Sequence, residues 1–174
     1  LDIDMIAPAH GVIWRSYIPE LLQAYEEFAT FQSVDKAVIV YESVWKHTQM
    51  MAEALAEGMG RNGVCVKIFK CSMTSPAIIQ KELLDAKAIL VGSGNYNNAM
   101  SGSIAAFLEK LISCKVKNKK GLGFGSYGWA NLVTKEINAR LVKAGITLLN
   151  DEVVSQNYTP SEEDLDALME LGKQ

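Results

Sequence analysis

Short apolar runs alternate with helical segments along most of this chain, and this alternation limits the possible folds more than any other feature. The first run, KAVIVY (36–41), is continuous and rich in valine, as expected for a strand that is buried on both faces. Similar runs follow at 63–70, 86–92 and 119–127, and we expect a fifth strand within 145–156. Strands that alternate with helices favour a parallel sheet covered on both faces.

The segments between these runs carry apolar residues at helical spacing. The clearest stripe lies in 103–113, where apolar residues recur at intervals of three and four. Ser161 is a plausible N-cap for the last helix, with Asp164 three residues later. The spacing predicts helices over 17–30, about 48–60, 75–85, 103–113, 130–144 and 161–171.

The predicted fold class is α/β, a doubly wound parallel sheet of five strands with helices on both faces. We predict the flavodoxin-like strand order 2-1-3-4-5, which is one of two common solutions for such a sheet. In that order the carboxyl ends of the first, third and fourth strands line one crevice. Ligands of open α/β sheets bind at this edge, so functional residues are expected in the three loops that follow these strands.

Length, charge and composition narrow the classes of function. The chain has 174 residues, enough for one domain with a sizeable core, and its net charge of -3 gives no electrostatic case for a nucleic-acid partner. No apolar run approaches the roughly 18 residues that a membrane helix needs, and no signal peptide is visible. Three cysteines without CxxC spacing suggest buried, reduced thiols in a cytoplasmic protein. The start on Leu1 fits a processed chain or a fragment.

The first of the three loops, ESVWKHT (42–48), has the residue types of a phosphate cradle. Ser43 and Thr48 supply hydroxyls on either side of a run of backbone N–H groups, and the following helix adds its partial positive charge. The loop has no GK[ST] ending and no GxGxxG, which argues against a triphosphate or dinucleotide site. The alternative is that both hydroxyls only cap the helix.

The other two loops offer polar groups and aromatic rings. The second loop, GSGNYNNAMSG (92–102), contains Tyr96 and three asparagines, whose amides suit the edge of a flavin ring. The alternative is an ordinary turn, because Gly and Asn are common turn residues. GSYGWAN (125–131) has glycines that allow close approach to a ring, and Trp129 to flank it. The alternative is that these aromatic residues only complete the core.

Together, the loops place a phosphate cradle, amides and aromatic rings at one predicted edge of the sheet. A ligand with a phosphate at one end and a planar heterocycle at the other fits this set best, and FMN is such a ligand. A response-regulator domain has the same strand order but requires a cluster of acidic residues after its first strand. Only Glu42 stands there in this sequence.

These motifs resemble the A-type flavoproteins, or flavodiiron proteins, over essentially the whole chain. YESVWKHT (41–48) is similar to their first loop, Tyr-Asp-Thr-Met-Trp-x-x-Thr, and GSYGW (125–129) matches their third loop without a break. GSGNYNN (92–98) resembles their second loop, Gly-Ser-Pro-Thr-x-Asn-Asn, with Gly94 and Asn95 in place of the Pro-Thr pair. The resemblance implies a C-terminal flavodoxin-like domain that binds FMN.

The resemblance also implies which residues hold FMN. Residues 43–48 would hold the phosphate, while residues 94–98 and 126–129 would embrace the isoalloxazine. The implied cofactor-binding residues are Ser43, Val44, Trp45, Lys46, His47, Thr48, Gly94, Asn95, Tyr96, Asn97, Asn98, Ser126, Tyr127, Gly128 and Trp129.

The N-terminal stretch PAHGVIWR (8–15) resembles the end of the metallo-β-lactamase-like domain that precedes the flavodoxin domain in this family. In that domain the matching histidine is a diiron ligand. We therefore expect residues 1–33 to be the tail of that domain plus a linker helix, and residues 34–174 to be the flavodoxin-like domain. Besides His10 the chain has only His47, so we expect no functional metal at His10 in this chain.

The implied function is electron transfer through FMN to a diiron centre that reduces O2 or NO in the full-length family. A rubredoxin-like protein or a reductase would supply the electrons, and the upstream diiron domain would receive them. Because full-length members pair head to tail, we also expect a homodimer. We expect the chain alone to be an electron carrier. The alternatives are a free-standing flavodoxin-like NAD(P)H or quinone reductase, and a binding module without flavin.

Overall fold

The computed structural model describes residues 2–150 and 152–174, and Leu1 and Asp151 lie outside the described residues. Helices and strands alternate as the sequence predicts. The strands are β1 Val34–Glu42, β2 Cys65–Lys70, β3 Ala86–Ser93, β4 Lys120–Tyr127, β5 Thr147–Leu148 and β6 Val154–Asn157. The helices are α1 Ile18–Ala29, α2 His47–Arg61, α3 Pro76–Leu84, α4 Gly102–Cys114, α5 Val133–Lys143 and α6 Glu162–Gly172, with a single 3-10 turn at Cys71–Met73.

All strand pairs within the sheet are parallel, and the order β2-β1-β3-β4-β5 confirms the predicted topology. β1 lies between β2 and β3, with Ile39 opposite Ile68 of β2 and Leu90 of β3. The carboxyl ends of β1, β3 and β4 therefore meet at one edge. The loops that follow these strands begin at that edge.

The predicted fifth strand is two short strands, which corrects the expected count from five to six. β5 pairs with Lys120 and Gly121 of β4, whereas β6 pairs with residues from Phe124 onward. In the gap between them, the backbone N–H of Gly123 donates to Oδ1 of Asn138, at 2.7 Å. This buried side chain from α5 takes the place of a strand partner and interrupts the ladder.

Each face of the sheet has its own apolar core. The core on one face packs β1 and β3 against α3, α4 and α5, with Ile104 and Ile137 fully buried. The core on the other face packs the sheet against α2 and α6, with Leu55 and Phe124 fully buried. Burial on both faces explains why β1 and β3 are largely continuous apolar runs with no alternation of apolar and polar residues.

The helix ends follow local signals in the sequence. Ser161 is the N-cap of α6, and its hydroxyl accepts from the backbone N–H of Asp164, whose carboxylate accepts in turn from Ser161. This is a capping box, in which two free donors are satisfied reciprocally. The predicted N-cap is confirmed, and the other helix bounds differ from the predicted ones by at most three residues.

The cysteines differ in part from the prediction. All three are free thiols, but Cys65 and Cys114 are exposed and only Cys71 is partly buried, so the expected burial was wrong for two of them. Cys65 is exposed because β2 is an edge strand of the sheet. Among the described residues, no helix is both long enough and apolar enough to span a membrane.

Candidate functional site

A cleft of about 500 Å³ opens at the carboxyl edge of the sheet, where the three predicted loops converge. All three loops contribute to it, and so does a residue that follows β6. Twelve of the fifteen predicted cofactor-binding residues line it. The lining residues are Ser43, Val44, Trp45, His47, Thr48, Gly94, Asn95, Tyr96, Ser126, Tyr127, Gly128, Trp129 and Tyr158.

The first loop places a buried hydroxyl at the start of α2. Lys46 is the N-cap, with a left-handed φ of 68° and no side-chain capping bond, so Ser43 and Thr48 do not cap this helix. Thr48 lies inside the first turn and is 1% exposed, and its hydroxyl lies 3.1 Å from Oγ of Ser126 in β4. Two hydroxyls, one from α2 and one from β4, thus meet beneath the cleft.

The amino end of α2 gives this part of the cleft a positive electrostatic potential. The first intrahelical bond runs from the N–H of Met50 to the carbonyl of Lys46. The N–H groups ahead of Met50 in this turn have no intrahelical acceptor, and the helix dipole concentrates partial positive charge there. A phosphate is the kind of ligand that such a helix start binds.

The second loop contains a tight turn at its tip. Tyr96 and Ala99 exchange backbone hydrogen bonds of 2.8 and 3.0 Å, and Asn97 and Asn98 between them both have positive φ. This is the pattern of a type I′ turn, for which asparagine is favoured. The turn explains why the two asparagines stand at these positions, and it directs the chain back towards α4.

Asn95 joins the second loop to the third. Its backbone N–H donates to the carbonyl of Ser126 at 3.1 Å, and its side-chain Nδ2 donates to the carbonyl of Ala130. The remaining atom, Oδ1, is buried and has no hydrogen-bond partner. A buried acceptor without a donor is costly, and Asn95 lines the cleft, so Oδ1 is a candidate acceptor for an N–H of a ligand.

Tyr96 joins the second loop to the first. Its ring lies 3.5 Å from the position that a Cβ on Gly94 would take, and its hydroxyl lies near the backbone N–H of Val44. Burial raises the pKa of Tyr96, and the charge of Glu42 raises it further, so the hydroxyl stays protonated. The ring is therefore part of the cleft wall and fixes the spacing of two loops.

The third loop begins where β3 and β4 approach most closely. A Cβ on Gly125 would stand less than 3.0 Å from the backbone oxygen of Ser93, so only glycine fits. Beyond it, Trp129 is 85% exposed, and Trp45 of the first loop is 80% exposed. Both indole rings border the cleft without packing into the core, contrary to the alternative that such rings only complete the core.

Three predicted residues do not line the cleft, and one lining residue was missed. Lys46 is exposed at the helix start, while Asn97 and Asn98 border a smaller hollow of about 30 Å³ beside Trp129. Tyr158 was not predicted, because it follows the fifth predicted strand and lies outside the three loops. The signal was present, since the carboxyl end of the fifth strand lies at the same edge in the predicted order.

Glu42 is a buried carboxylate at the base of the first loop. Its Oε1 accepts from the N–H of Ser43 at 3.2 Å, and its Oε2 accepts from the N–H of Ser72 at 3.0 Å and the hydroxyl of Ser103 at 3.2 Å. Burial alone would raise the pKa of Glu42, but these hydrogen bonds outweigh it and hold the pKa below its usual range. The ionised carboxylate therefore ties the first loop to α4.

Glu42→Gln should lower the free energy of unfolding by about 1–3 kcal/mol at pH 7, because hydrogen bonds to a charge are lost. A lowered pKa in the folded state means that this contribution is present above the unfolded carboxyl pKa of about 4.3 and disappears as pH falls through the folded value. Urea unfolding of both proteins at pH 7, 5 and 3 measures it.

Glu57→Gln is the matched control, because Glu57 forms only an exposed ion pair with Arg61. Its effect should stay below about 0.5 kcal/mol. A difference between Glu42→Gln and wild type that is the same at all three pH values would contradict the role of the charge.

His10 lies apart from this cleft in an exposed N-terminal hairpin. Ile6 and Trp14 pair across the hairpin through backbone hydrogen bonds of 3.0 and 2.9 Å, with His10 near its tip. Within residues 2–150 and 152–174, no group of three or more histidine, cysteine or acidic residues is arranged to hold a metal ion. The assignment of residues 1–33 to a separate domain stays a prediction.

Comparison with known proteins identifies the class. The flavodoxin family model matches residues 39–172. A nitric oxide reductase of Moorella thermoacetica is 40% identical over 173 residues, which are 99% of this chain and 43% of that protein. An anaerobic nitric oxide reductase flavorubredoxin of Vibrio vulnificus is 38% identical over 83% of this chain and 30% of its own length.

A solved structure gives the same result. Rubredoxin oxygen:oxidoreductase from Desulfovibrio gigas superimposes with a TM-score of 0.91 at 31% identity, over 98% of this chain and 43% of that one. The chain belongs to the flavodoxin family. It is homologous to the flavodoxin-like domain of flavodiiron proteins and flavorubredoxins, and it spans less than half the length of these relatives.

FMN is the cofactor of the flavodoxin family, which confirms the predicted cofactor. The cleft fits this molecule on three structural grounds. The amino end of α2 suits a phosphate, the unpaired Oδ1 of Asn95 suits an N–H on the rim of the isoalloxazine, and the exposed rings of Trp45 and Trp129 suit its flat faces.

Proposed function

We propose that this chain is an FMN-dependent electron-transfer domain that binds its flavin in the cleft between the three loops. The observation that carries the proposal is the convergence of one helix start, one unpaired buried acceptor and two exposed indole rings on a single cleft. When bound, FMN supplies reversible transfer of one or two electrons. The protein supplies binding, orientation and exclusion of water.

At the phosphate end, residues 43–48 bind through backbone and hydroxyl groups. The free N–H groups of the first turn of α2 point to the anion, and the hydroxyl of Thr48 donates from within that turn. Ser126 supports Thr48 through the hydroxyl contact of 3.1 Å and orients it. No lysine or arginine lines the described cleft, so backbone N–H groups, hydroxyls and the imidazole of His47 are the groups available to bind the anion.

At the ring end, residues 94–98 and 126–129 hold the isoalloxazine. Oδ1 of Asn95 accepts from an N–H on the flavin rim, which satisfies an atom otherwise left unpaired. Trp45 and Trp129 lie on the exposed side of the cleft and cover the flat faces of the ring. Asn97 and Asn98 shape the turn that places Asn95 and Tyr96.

The longer relatives suggest the wider context of this domain. We propose that it works with a diiron domain that reduces NO or O2. The Moorella relative is named a nitric oxide reductase and the Desulfovibrio relative a rubredoxin oxygen:oxidoreductase, which supports these two substrates. In this arrangement a rubredoxin-like protein or a reductase supplies the electrons. Two copies form a homodimer, which brings the flavin and the metals together. The assembly works in the cytoplasm. In that assembly His10 is one ligand of the diiron centre.

Reconstitution tests the central proposal. The purified chain is mixed with FMN and with riboflavin, and dissociation constants are measured from the quenching of flavin fluorescence. We expect tight binding of FMN, with the absorbance bands of a bound flavin, and reversible reduction of the complex at an electrode. Absence of FMN binding would overturn the proposal, and rapid reduction by NAD(P)H would favour the free-standing reductase.

Trp129→Ala should weaken FMN by about three- to tenfold, because one ring face loses its aromatic contact. The absorbance bands of bound flavin should shift as water reaches that face. Val142→Ala is the control, because Val142 is an exposed apolar residue on α5 and does not line the cleft. Equal affinities for FMN in the Trp129 variant and in wild type would contradict the placement of the ring.

A further inference from the structure

A segment outside the three loops also borders the cleft. Residues 157–159 leave the sheet at the end of β6, where Asn157 lies opposite Tyr127 of β4. They therefore emerge at the same edge as the third loop and next to it. α6 follows, and its carboxyl end packs against the carboxyl end of α2, where Gly172 lies beside Gly58, so its amino end lies on the side where α2 starts.

The segment is bonded to the third loop by its backbone and by one side chain. The N–H of Tyr158 donates to the carbonyl of Tyr127 at 2.8 Å. Nδ2 of Asn157 donates to the same carbonyl at 3.4 Å and also to the carbonyl of Gly128. These bonds satisfy loop carbonyls and fix the distance between the segment and the third loop.

Tyr158 has an unusual backbone conformation for its residue type. Its φ is +58°, in the left-handed region that residues with a Cβ seldom adopt. In this conformation its ring lies 3.4 Å from the position that a Cβ on Gly128 would take, and it forms part of the cleft wall while 60% of it stays exposed. Because the ring lines the cleft and stays exposed in this conformation, it is available to a ligand there.

The segment also reaches the opposite end of the cleft. The hydroxyl of Thr159 lies 3.0 Å from Nε2 of His47, the first residue of α2. His47 stands directly before Thr48, at the helix start where the phosphate is placed. One short segment thus contacts the third loop through Tyr158 and the phosphate end through Thr159.

We propose that residues 157–159 form a fourth flavin-binding loop. In it, the Tyr158 ring is a wall of the cleft that contacts the flavin itself, and the Thr159 hydroxyl positions the His47 imidazole beside the phosphate. Thr159 is a positioning residue that acts through His47. This inference rests on the proposed binding of FMN in the cleft.

The test separates the two contacts by using two ligands, FMN and riboflavin, which lacks the phosphate. Thr159→Val should weaken FMN by about two- to tenfold, the loss of one hydrogen bond, and leave the affinity for riboflavin unchanged. Tyr158→Ala should weaken both ligands by a similar factor, about three- to tenfold, because it removes a contact with the part they share. Quenching of flavin fluorescence gives all the constants.

Two further variants control for changes in fold. Thr159→Ser keeps the hydroxyl and should restore the affinity for FMN, and Thr30→Val removes an exposed hydroxyl that donates to Glu26 in α1 and should change neither ligand. An unchanged ratio of the two affinities in Thr159→Val would overturn the role of Thr159. Unchanged affinities for both flavins in Tyr158→Ala would overturn the proposed contact between the Tyr158 ring and the flavin. Failure of wild type to bind either flavin would instead overturn the proposed function.

Discussion

Gly125→Ala should lower the free energy of unfolding by about 3 kcal/mol and separate the two loops that hold the flavin ring. The added Cβ would meet the backbone oxygen of Ser93 at less than 3.0 Å, and a backbone atom at the end of a central strand cannot move aside cheaply. β3 and β4 would have to part where the second and third loops begin. Urea unfolding measures the stability, and fluorescence titration measures the accompanying loss of affinity for FMN.

Gly60→Ala is the matched control for this substitution. Gly60 lies in α2, and a Cβ built there has no neighbour within 4 Å. Alanine is a better helix former than glycine, so this variant should gain up to about 1 kcal/mol in stability. The same unfolding midpoint for Gly125→Ala and wild type would show that β3 and β4 do not approach so closely.

Most of the fold could be predicted from the sequence because burial on both faces leaves a strong signal. Runs such as 37–41 and 88–91 are apolar at every position, as expected for a strand that is covered on both faces. The strand order then followed from the alternation with helices and the common doubly wound pattern. Structure and comparison confirm both the order and the membership of the flavodoxin family.

The division of the fifth strand could not be predicted. It depends on Asn138, a residue in the middle of α5, whose side chain takes the N–H of Gly123. Nothing within 145–156 itself indicates that a side chain of the preceding helix supplies this acceptor. Side chains that replace a strand partner are tertiary features, and hydrophobic periodicity does not report them.

The sequence predicted which loops form the candidate site better than it predicted what each residue does there. Thr48 and Trp129 line the cleft as expected, because the carboxyl ends of neighbouring parallel strands must meet. Asn97 and Asn98 do not line it, since the type I′ turn uses their tolerance of positive φ. Asn95 is the more informative amide, and only the structure reveals its unpaired oxygen.

Thr48→Val should raise the dissociation constant for FMN by the equivalent of about 1–3 kcal/mol, roughly five- to 150-fold. Valine keeps the shape of threonine but removes a hydroxyl that is 1% exposed and lies 3.1 Å from the hydroxyl of Ser126. A buried phosphate oxygen would then lack its donor, and Ser126 would lose its partner. The cost is large because water cannot replace the hydroxyl at this depth.

Comparison with riboflavin shows where this loss arises. Because riboflavin lacks the phosphate, Thr48→Val should change its affinity much less than that of FMN. Thr74→Val is the control, since it removes a partly buried hydroxyl that donates to the carbonyl of Lys70 away from the cleft. Equal losses for both flavins would place the phosphate elsewhere. A loss confined to FMN would place it at the start of α2, where the helix dipole and the Thr48 hydroxyl act on the same charge.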